Sequence, residues 1–140
     1  MSASSLRSNP WLLTAALFGG LSVACGAFGA HSLKARFTAD GSLTQSDEQQ
    51  LANWETAARY QMYHALGLLV VGILAARRPS PSLHFAGLSF TAGTLVFSGC
   101  LYALVLTGQR WLGAIVPLGG LLLILGWISL GIAAARDSSS

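Results

Sequence analysis

Residues 11–30 are twenty consecutive residues without a charge. A helix rises about 1.5 Å per residue, so about 20 apolar residues cross the roughly 30 Å hydrocarbon core of a bilayer. Residues 85–107 and 111–135 are also free of charge. The 140-residue chain is 53% hydrophobic and 9% charged, against about 25% charged in an average soluble domain. Mean hydropathy is +0.58. A soluble core of one domain has no room for so much apolar sequence, so the pattern predicts an all-α integral membrane protein. Net charge is only +3, and no Lys/Arg run exceeds Arg77-Arg78. That excludes a nucleic-acid footprint and makes the lipid bilayer the expected partner.

The beginning of the chain has two readings. Arg7 before an apolar run resembles a signal peptide, and Ser22-Val23-Ala24-Cys25 resembles a weak lipoprotein cleavage box. The apolar run continues past Cys25 to Ala30, which favours a retained transmembrane helix. Residues 1–10 are then a polar tail, with Pro10 suited to the first helical turn. Ser22, Gly26 and Ala30 recur every four residues and form a flat face for close helix packing. Cys25 and Cys100 lie in apolar sequence with no zinc spacing, as small buried side chains. No metal ligand set and no cofactor motif is present.

Residues 31–45 read as a loop broken at Gly41. Ser46-Asp47-Glu48-Gln49 reads as a capping box with Ser46 as N-cap. One helix is then predicted over residues 47–76, about 45 Å long and too long for the hydrocarbon core. Its part up to about Tyr60 is expected at the membrane surface, with a bend near Arg59 as the means. Residues 77–81 form a basic turn. Thr91, Thr94, Ser98 and Tyr102 share one face of the third span. Pro117, with Gly119 and Gly120 following, predicts a kink and a packing site in the fourth. The fold class expected is a four-helix antiparallel membrane bundle, residues 11–135, with an interfacial polar helix leading into the second span. The spans fall near 11–30, 60–76, 85–107 and 111–135, and residues 136–140 form a second polar tail. Both termini then share a side. Arg7, Arg77, Arg78 and Arg136 stand on it, against Lys34, Arg36, Arg59 and Arg110 on the other, so the positive-inside rule gives no orientation.

Antiparallel crossing gathers His31, Glu55, Arg59, Tyr60, Gln61, His64 and Tyr102 at one membrane face. Glu55 and Arg59 stand i,i+4 in the favourable order. The structural interpretation has His31 ending the first helix, Glu55–Arg59 as an interfacial pair that also meets His31, and His64 bonding across helices. Haem ligation by His31 and His64 is the second, since axial ligands must face each other across a pocket. A transport path is the third, although Asp40, Asp47, Glu48, Glu55 and Asp137 all lie outside the apolar runs and only His64 is ionisable at depth. Catalysis is disfavoured: there is no nucleophile elbow, no His-Glu-x-x-His and no paired carboxylates. His84 is expected to be solvated. A non-enzymatic structural, accessory or assembly role is therefore expected, with a membrane-protein partner or a homo-oligomer. The alternative is a site for haem, quinone or a transported solute at the His31/His64 face.

Several stretches together resemble one known family. They are Gly26-Ala27-Phe28-Gly29-Ala30-His31, Trp54-Glu55-Thr56-Ala57 and Arg59-Tyr60-Gln61-Met62-Tyr63-His64-Ala65-Leu66. Phe97-Ser98-Gly99-Cys100-Leu101-Tyr102, Pro117-Leu118-Gly119-Gly120 and Gly126-Trp127 complete the pattern. It is similar to domain-of-unknown-function family 423, small membrane proteins of bacteria with a mitochondrial relative, over about residues 12–130. The segment around residues 38–44 is longer than that family's pattern. The resemblance implies a four-helix fold in the bacterial plasma membrane, and implies no activity, cofactor or catalytic residue.

Overall fold

The computed structural model describes residues 9–39 and 41–137. The expected polar tails fall mostly on residues 1–8 and 138–140, which lie outside the described residues with Arg7 and Asp40. Among the described residues there is no strand. The elements are α1 (Pro10–Phe28), a π-helical stretch (Gly29–Leu33), α2 (Lys34–Phe37), α3 (Gln45–Arg77), α4 (Pro81–Thr107) and α5 (Leu112–Asp137).

Local chemistry sets the ends. Asn9 caps α1 by accepting from the Trp11 N–H at 3.1 Å, with Pro10 in the first turn. Its amide also donates to the Gly72 carbonyl at 2.8 Å, fastening the start of α1 to the far part of α3. Ser80 caps α4 in the same way, with Pro81 next, so α4 starts four residues before the expected 85. A proline without an N–H suits that position and cannot continue the preceding turn. Gly108, at φ 70°, ends α4 in the left-handed region that glycine tolerates best.

Two boundaries differ from expectation. The first helix does not stop at residue 30 but runs through the π stretch into α2. There the Trp54 indole N–H donates to the Cys25 carbonyl at 2.7 Å. The ring lies where a Cβ on Gly29 would collide with it, and the helix widens into π geometry at that glycine. The cap of α3 is Thr44, not Ser46: Asp47 Oδ2 accepts from the Thr44 N–H at 3.0 Å and from its hydroxyl at 2.6 Å. The Asp47 N–H returns to that hydroxyl at 3.2 Å. Asp can close a capping box as Glu or Gln does, and here it does so two residues upstream of the Ser46/Gln49 pattern. The Thr44 contacts hold the Asp47 carboxyl below the usual carboxylate range.

Past that cap, α3 is one unbroken helix through Arg59. Its buried positions begin at Trp54 and end at Gly72, and before them Leu51 packs against the Leu33, Trp54 and Val105 cluster. Contacts between α1 and α3 pair Cys25 with Trp54, Ser22 with Ala58, Phe18 with Gln61 and Asn9 with Gly72. The numbers run in opposite senses, as antiparallel neighbours require. Between α3 and α4, Ala57 meets Ser98 and His64 meets Phe90. Between α4 and α5, a Cβ on Gly93 would strike Leu123, one on Gly119 would strike the Phe97 backbone and one on Gly126 would strike Phe90. Those glycines let helices approach closely without a hydrophobic driving force. Pro117 is exposed and does not interrupt α5.

Around an apolar core that includes Leu68, Val71 and Phe90, the outside is apolar as well. Leu13, Leu17, Leu95, Leu118 and Ile124 point outward at 56–63% exposure, while Ser22, Gln61, His64, Ser89, Thr94 and Ser98 are buried. Water would penalise both arrangements, and hydrocarbon around the helices favours both. Among the described residues three stretches are long and apolar enough to cross a membrane: Pro10–Phe37, Pro81–Thr107 and Leu112–Arg136. The helix α3 is not among them, because Tyr60, Gln61 and His64 leave only residues 65–76 uninterruptedly apolar.

Candidate functional site

The interior polar residues form a seam where α1, α3 and α4 meet. The Gln61 amide donates to the Phe18 carbonyl at 2.9 Å, and its oxygen accepts from the Tyr102 hydroxyl at 3.0 Å. One turn along the same α1–α3 contact, the Ser22 hydroxyl donates to the Ala58 carbonyl at 2.7 Å. Ser98 does the same to the Ala57 carbonyl at 2.8 Å. Trp54 meets Tyr102 at a tilt of 56°, with ring centroids 4.6 Å apart, and packs with Leu33 and Val105. The seam is built from side chains that reach the backbone of a neighbouring helix.

His64 lies on the other side of α3. Its Nδ1 is 2.7 Å from the Tyr60 carbonyl, and its Nε2 is 3.1 Å from the Trp127 indole nitrogen. A carbonyl only accepts and an indole N–H only donates. The Nδ1 therefore carries the proton, and the Nε2 lone pair takes the Trp127 hydrogen. Both ring nitrogens of this neutral tautomer are engaged. Around it, Tyr60 stacks on Phe97 with centroids 4.7 Å apart, and Tyr60, Tyr63, Phe97, Gly120 and Trp127 wall a cleft of about 520 Å³.

The predicted cluster is thus divided. Gln61 and Tyr102 meet directly, and Tyr60 meets His64. His31 is exposed in the π stretch. It does not face His64: Gly19 packs beside Ala65, and His31 lies twelve residues farther along, about 18 Å at 1.5 Å per residue. An axial pair is therefore not formed, and the His64 nitrogens already have partners. Glu55 and Arg59 form their ion pair, but at 70% and 49% side-chain exposure. No contact links Arg59 to His31. Of the small-residue face, Ser22 is buried, Gly26 is half-buried and Ala30 is exposed. Gly119 is the tight contact of the Pro117 region, and Gly120 lies 3.8 Å from the Phe97 ring by its would-be Cβ. His84 is exposed and meets Trp11 edge-on. Among the described residues no group of three or more His, Cys, Asp or Glu could hold a metal ion. Cys25 and Cys100 are free and half-buried.

Sequence reasoning left Trp54 and Trp127 out of the cluster. The available signal was their position in apolar helices, where an indole N–H must find an acceptor. Trp54 finds the Cys25 carbonyl and Trp127 finds His64.

Comparison with known proteins fits this architecture. The model of the family described as "Protein of unknown function (DUF423)" matches residues 25–120. A UPF0382 membrane protein of Staphylococcus aureus is 42% identical over 126 residues, covering 90% of this chain and 95% of the relative. The UPF0382 membrane protein YwdK of Bacillus subtilis is 39% identical over 127 residues, covering 90% and 96%. No solved structure matches the chain.

Proposed function

The chain belongs to the DUF423 family of membrane proteins of unknown function, and on that premise we propose that it is a non-enzymatic structural, accessory or assembly component of the bacterial plasma membrane. One observation carries this: the buried polar side chains of the seam are engaged in fastening one helix to the next. Gln61, Ser22 and Ser98 bond backbone carbonyls, and His64 is held at both nitrogens. General acid–base or nucleophilic catalysis needs a group with a proton or lone pair to lend, and these residues lend theirs to the fold.

A component of this kind needs a face for its partner, another membrane protein or a second copy. A groove of about 440 Å³ between the end of α1 and the polar part of α3 offers one. It is lined by Gly26, Gly29, Ala30, Leu51 and Trp54, together with Lys34 and Glu48. A Cβ on Gly26 would meet nothing within the protein. Purification of the tagged full chain in mild detergent, after cross-linking in the membrane, tests the proposal. A stoichiometric membrane-protein partner or a dimer is expected, lost in Gly26→Leu. A monomer that cross-links to nothing would overturn it.

A further inference from the structure

At the end of the bundle away from Glu55 and Arg59, α3 stops, α4 starts and α5 stops around a pocket of about 260 Å³. Arg78, after the last turn of α3, and Arg136, in the last turn of α5, line it together with Ser82. Leu74, Leu83 and Ala133 form its apolar side, and no Asp or Glu is among its lining residues.

Charge is unevenly placed along the bundle. Among the described residues this end carries Arg77, Arg78 and Arg136, with Asp137 as the acid that follows in sequence. The opposite end sets Asp47, Glu48 and Glu55 against Lys34, Arg36, Arg59 and Arg110. Cations alone divide evenly enough to hide this, and the acids bring it out. A guanidinium is a planar fork of five N–H donors that meets phosphate oxygens two at a time. A contact within the protein therefore exhausts neither Arg78 nor Arg136. The Ser82 hydroxyl adds a donor, and the first turn of α4 adds the positive end of its dipole. Two guanidinium groups converging on one pocket suit a phosphate.

The level of the pocket in the membrane selects the source of that phosphate. The apolar stretches of α4 and α5 are 27 and 25 residues long, about 40 and 38 Å at 1.5 Å per residue. Each exceeds the hydrocarbon core of about 30 Å, which leaves about three residues of each end at headgroup level. Ser82 is the second residue of α4, and Arg136 is the last of the α5 stretch. Leu83 and Ala133 follow within a turn on the hydrocarbon side. We propose that the pocket holds the phosphate of an anionic phospholipid, with Arg78 and Arg136 on its oxygens and the start of an acyl chain against Leu74 and Ala133. Basic pockets between membrane helices take anionic headgroups in this way. The net charge of the lipid is part of the match, since the ammonium of a zwitterionic headgroup would meet the same two arginines.

The full chain in mild detergent is titrated with a phosphatidylglycerol and with a phosphatidylcholine of the same acyl chains, and retention is read by native mass spectrometry. The anionic lipid is expected to bind at least about tenfold tighter, since each arginine near the lipid surface is worth about fivefold. Arg78→Gln and Arg136→Gln should each lose about fivefold for phosphatidylglycerol, and Arg110→Gln at the opposite end should lose nothing. Ser82→Glu sets a carboxylate in the pocket at a first-turn position that suits it. It leaves both arginines in place, should abolish the preference, and decides the question if an arginine variant does not fold. Equal retention of the two lipids by the parent chain would overturn the proposal. So would a preference that survives Ser82→Glu, or an equal loss in Arg110→Gln. Displacement of phosphatidylglycerol by inorganic phosphate, but not by chloride at equal ionic strength, would overturn the lipid assignment and give the pocket to a free phosphate.

Discussion

At the scale of single residues, Gln61 ties three helices through one amide. Its nitrogen holds the Phe18 carbonyl of α1 and its oxygen holds the Tyr102 hydroxyl of α4. Interhelical hydrogen bonds in membranes contribute about 0.6 kcal/mol on average and up to about 1.7, so Gln61→Leu is expected to cost about 1–2 kcal/mol in detergent unfolding. A change within about 0.3 kcal/mol would show that the seam is incidental. Trp127→Phe should cost about 1 kcal/mol by leaving His64 Nε2 without its donor, with no effect on Gln61. The Glu55–Arg59 pair behaves differently. The charges and the i,i+4 spacing were legible in sequence, but sequence does not say how wet the pair is. At 70% and 49% exposure each alanine variant should cost only about 0.3–0.5 kcal/mol. The stranded-charge penalty of a half-desolvated pair therefore does not apply. Gln61 and Tyr102 were legible as members of one cluster, because antiparallel crossing brings those helix ends together, but not as a bonded pair. The division of His31 from His64 was not, because it depends on how far α1 slides along α3, and only the Trp54–Cys25 and Gln61–Phe18 contacts fix that register.

At the scale of elements, caps decide where helices begin. The box that starts α3 uses Thr44 and Asp47, and the Ser46–Gln49 pattern overlaps it by two residues. Local sequence supports both, and the difference lies in which side chains reach back across the turn. Thr44→Ala should destabilise the protein by about 1 kcal/mol and fray residues 45–53 first. The pH dependence follows from the sign of the Asp47 shift. Its folded carboxyl is held down by the Thr44 hydroxyl and then by the Thr44 backbone N–H. Its contribution is complete above the unfolded value, about 3.9 for Asp. It is lost as pH falls through the lower folded value. Helicity of the N-terminal part of α3 should therefore drop below about pH 4, and Asp47→Asn should flatten that drop; an unchanged acid profile in the variant would assign it to other carboxyls. The π stretch was not legible at all, since it forms against the Trp54 ring, more than twenty residues away in sequence. Gly29→Ala should cost about 1–3 kcal/mol through overpacking against Trp54, and Trp54→Leu in the same chain should relieve part of it.

At the scale of the whole molecule, the open question is whether α3 crosses the bilayer. Composition alone leaves it out, since three other stretches are the apolar ones. Packing argues for a crossing. Residues 54–72 of α3 run beside residues 9–25 of α1 through the contacts of Trp54, Ala58, Gln61 and Gly72, so any slab that holds α1 also holds α3. Residues 60–76 carry no Asp, Glu, Lys or Arg. At 1.5 Å each they span about 26 Å, the short end of what crosses a core of about 30 Å. Arg77 lies past the last contact with α1, at Gly72, and Arg59, beside the Ser22–Ala58 contact, keeps its charge paired with Glu55. The polar groups between them are covered: Gln61 and His64 are buried and bonded within the protein. Bonded groups of this kind are tolerated at depth where bare ones are not. Four crossings place both termini on one side of the membrane. A fluorescent reporter that matures only in the cytoplasm, fused before Met1 in one chain and after Ser140 in another, should give the same readout in both. Opposite readouts would mean three crossings, with α3 lying along the surface and its contacts with α1 formed outside the hydrocarbon.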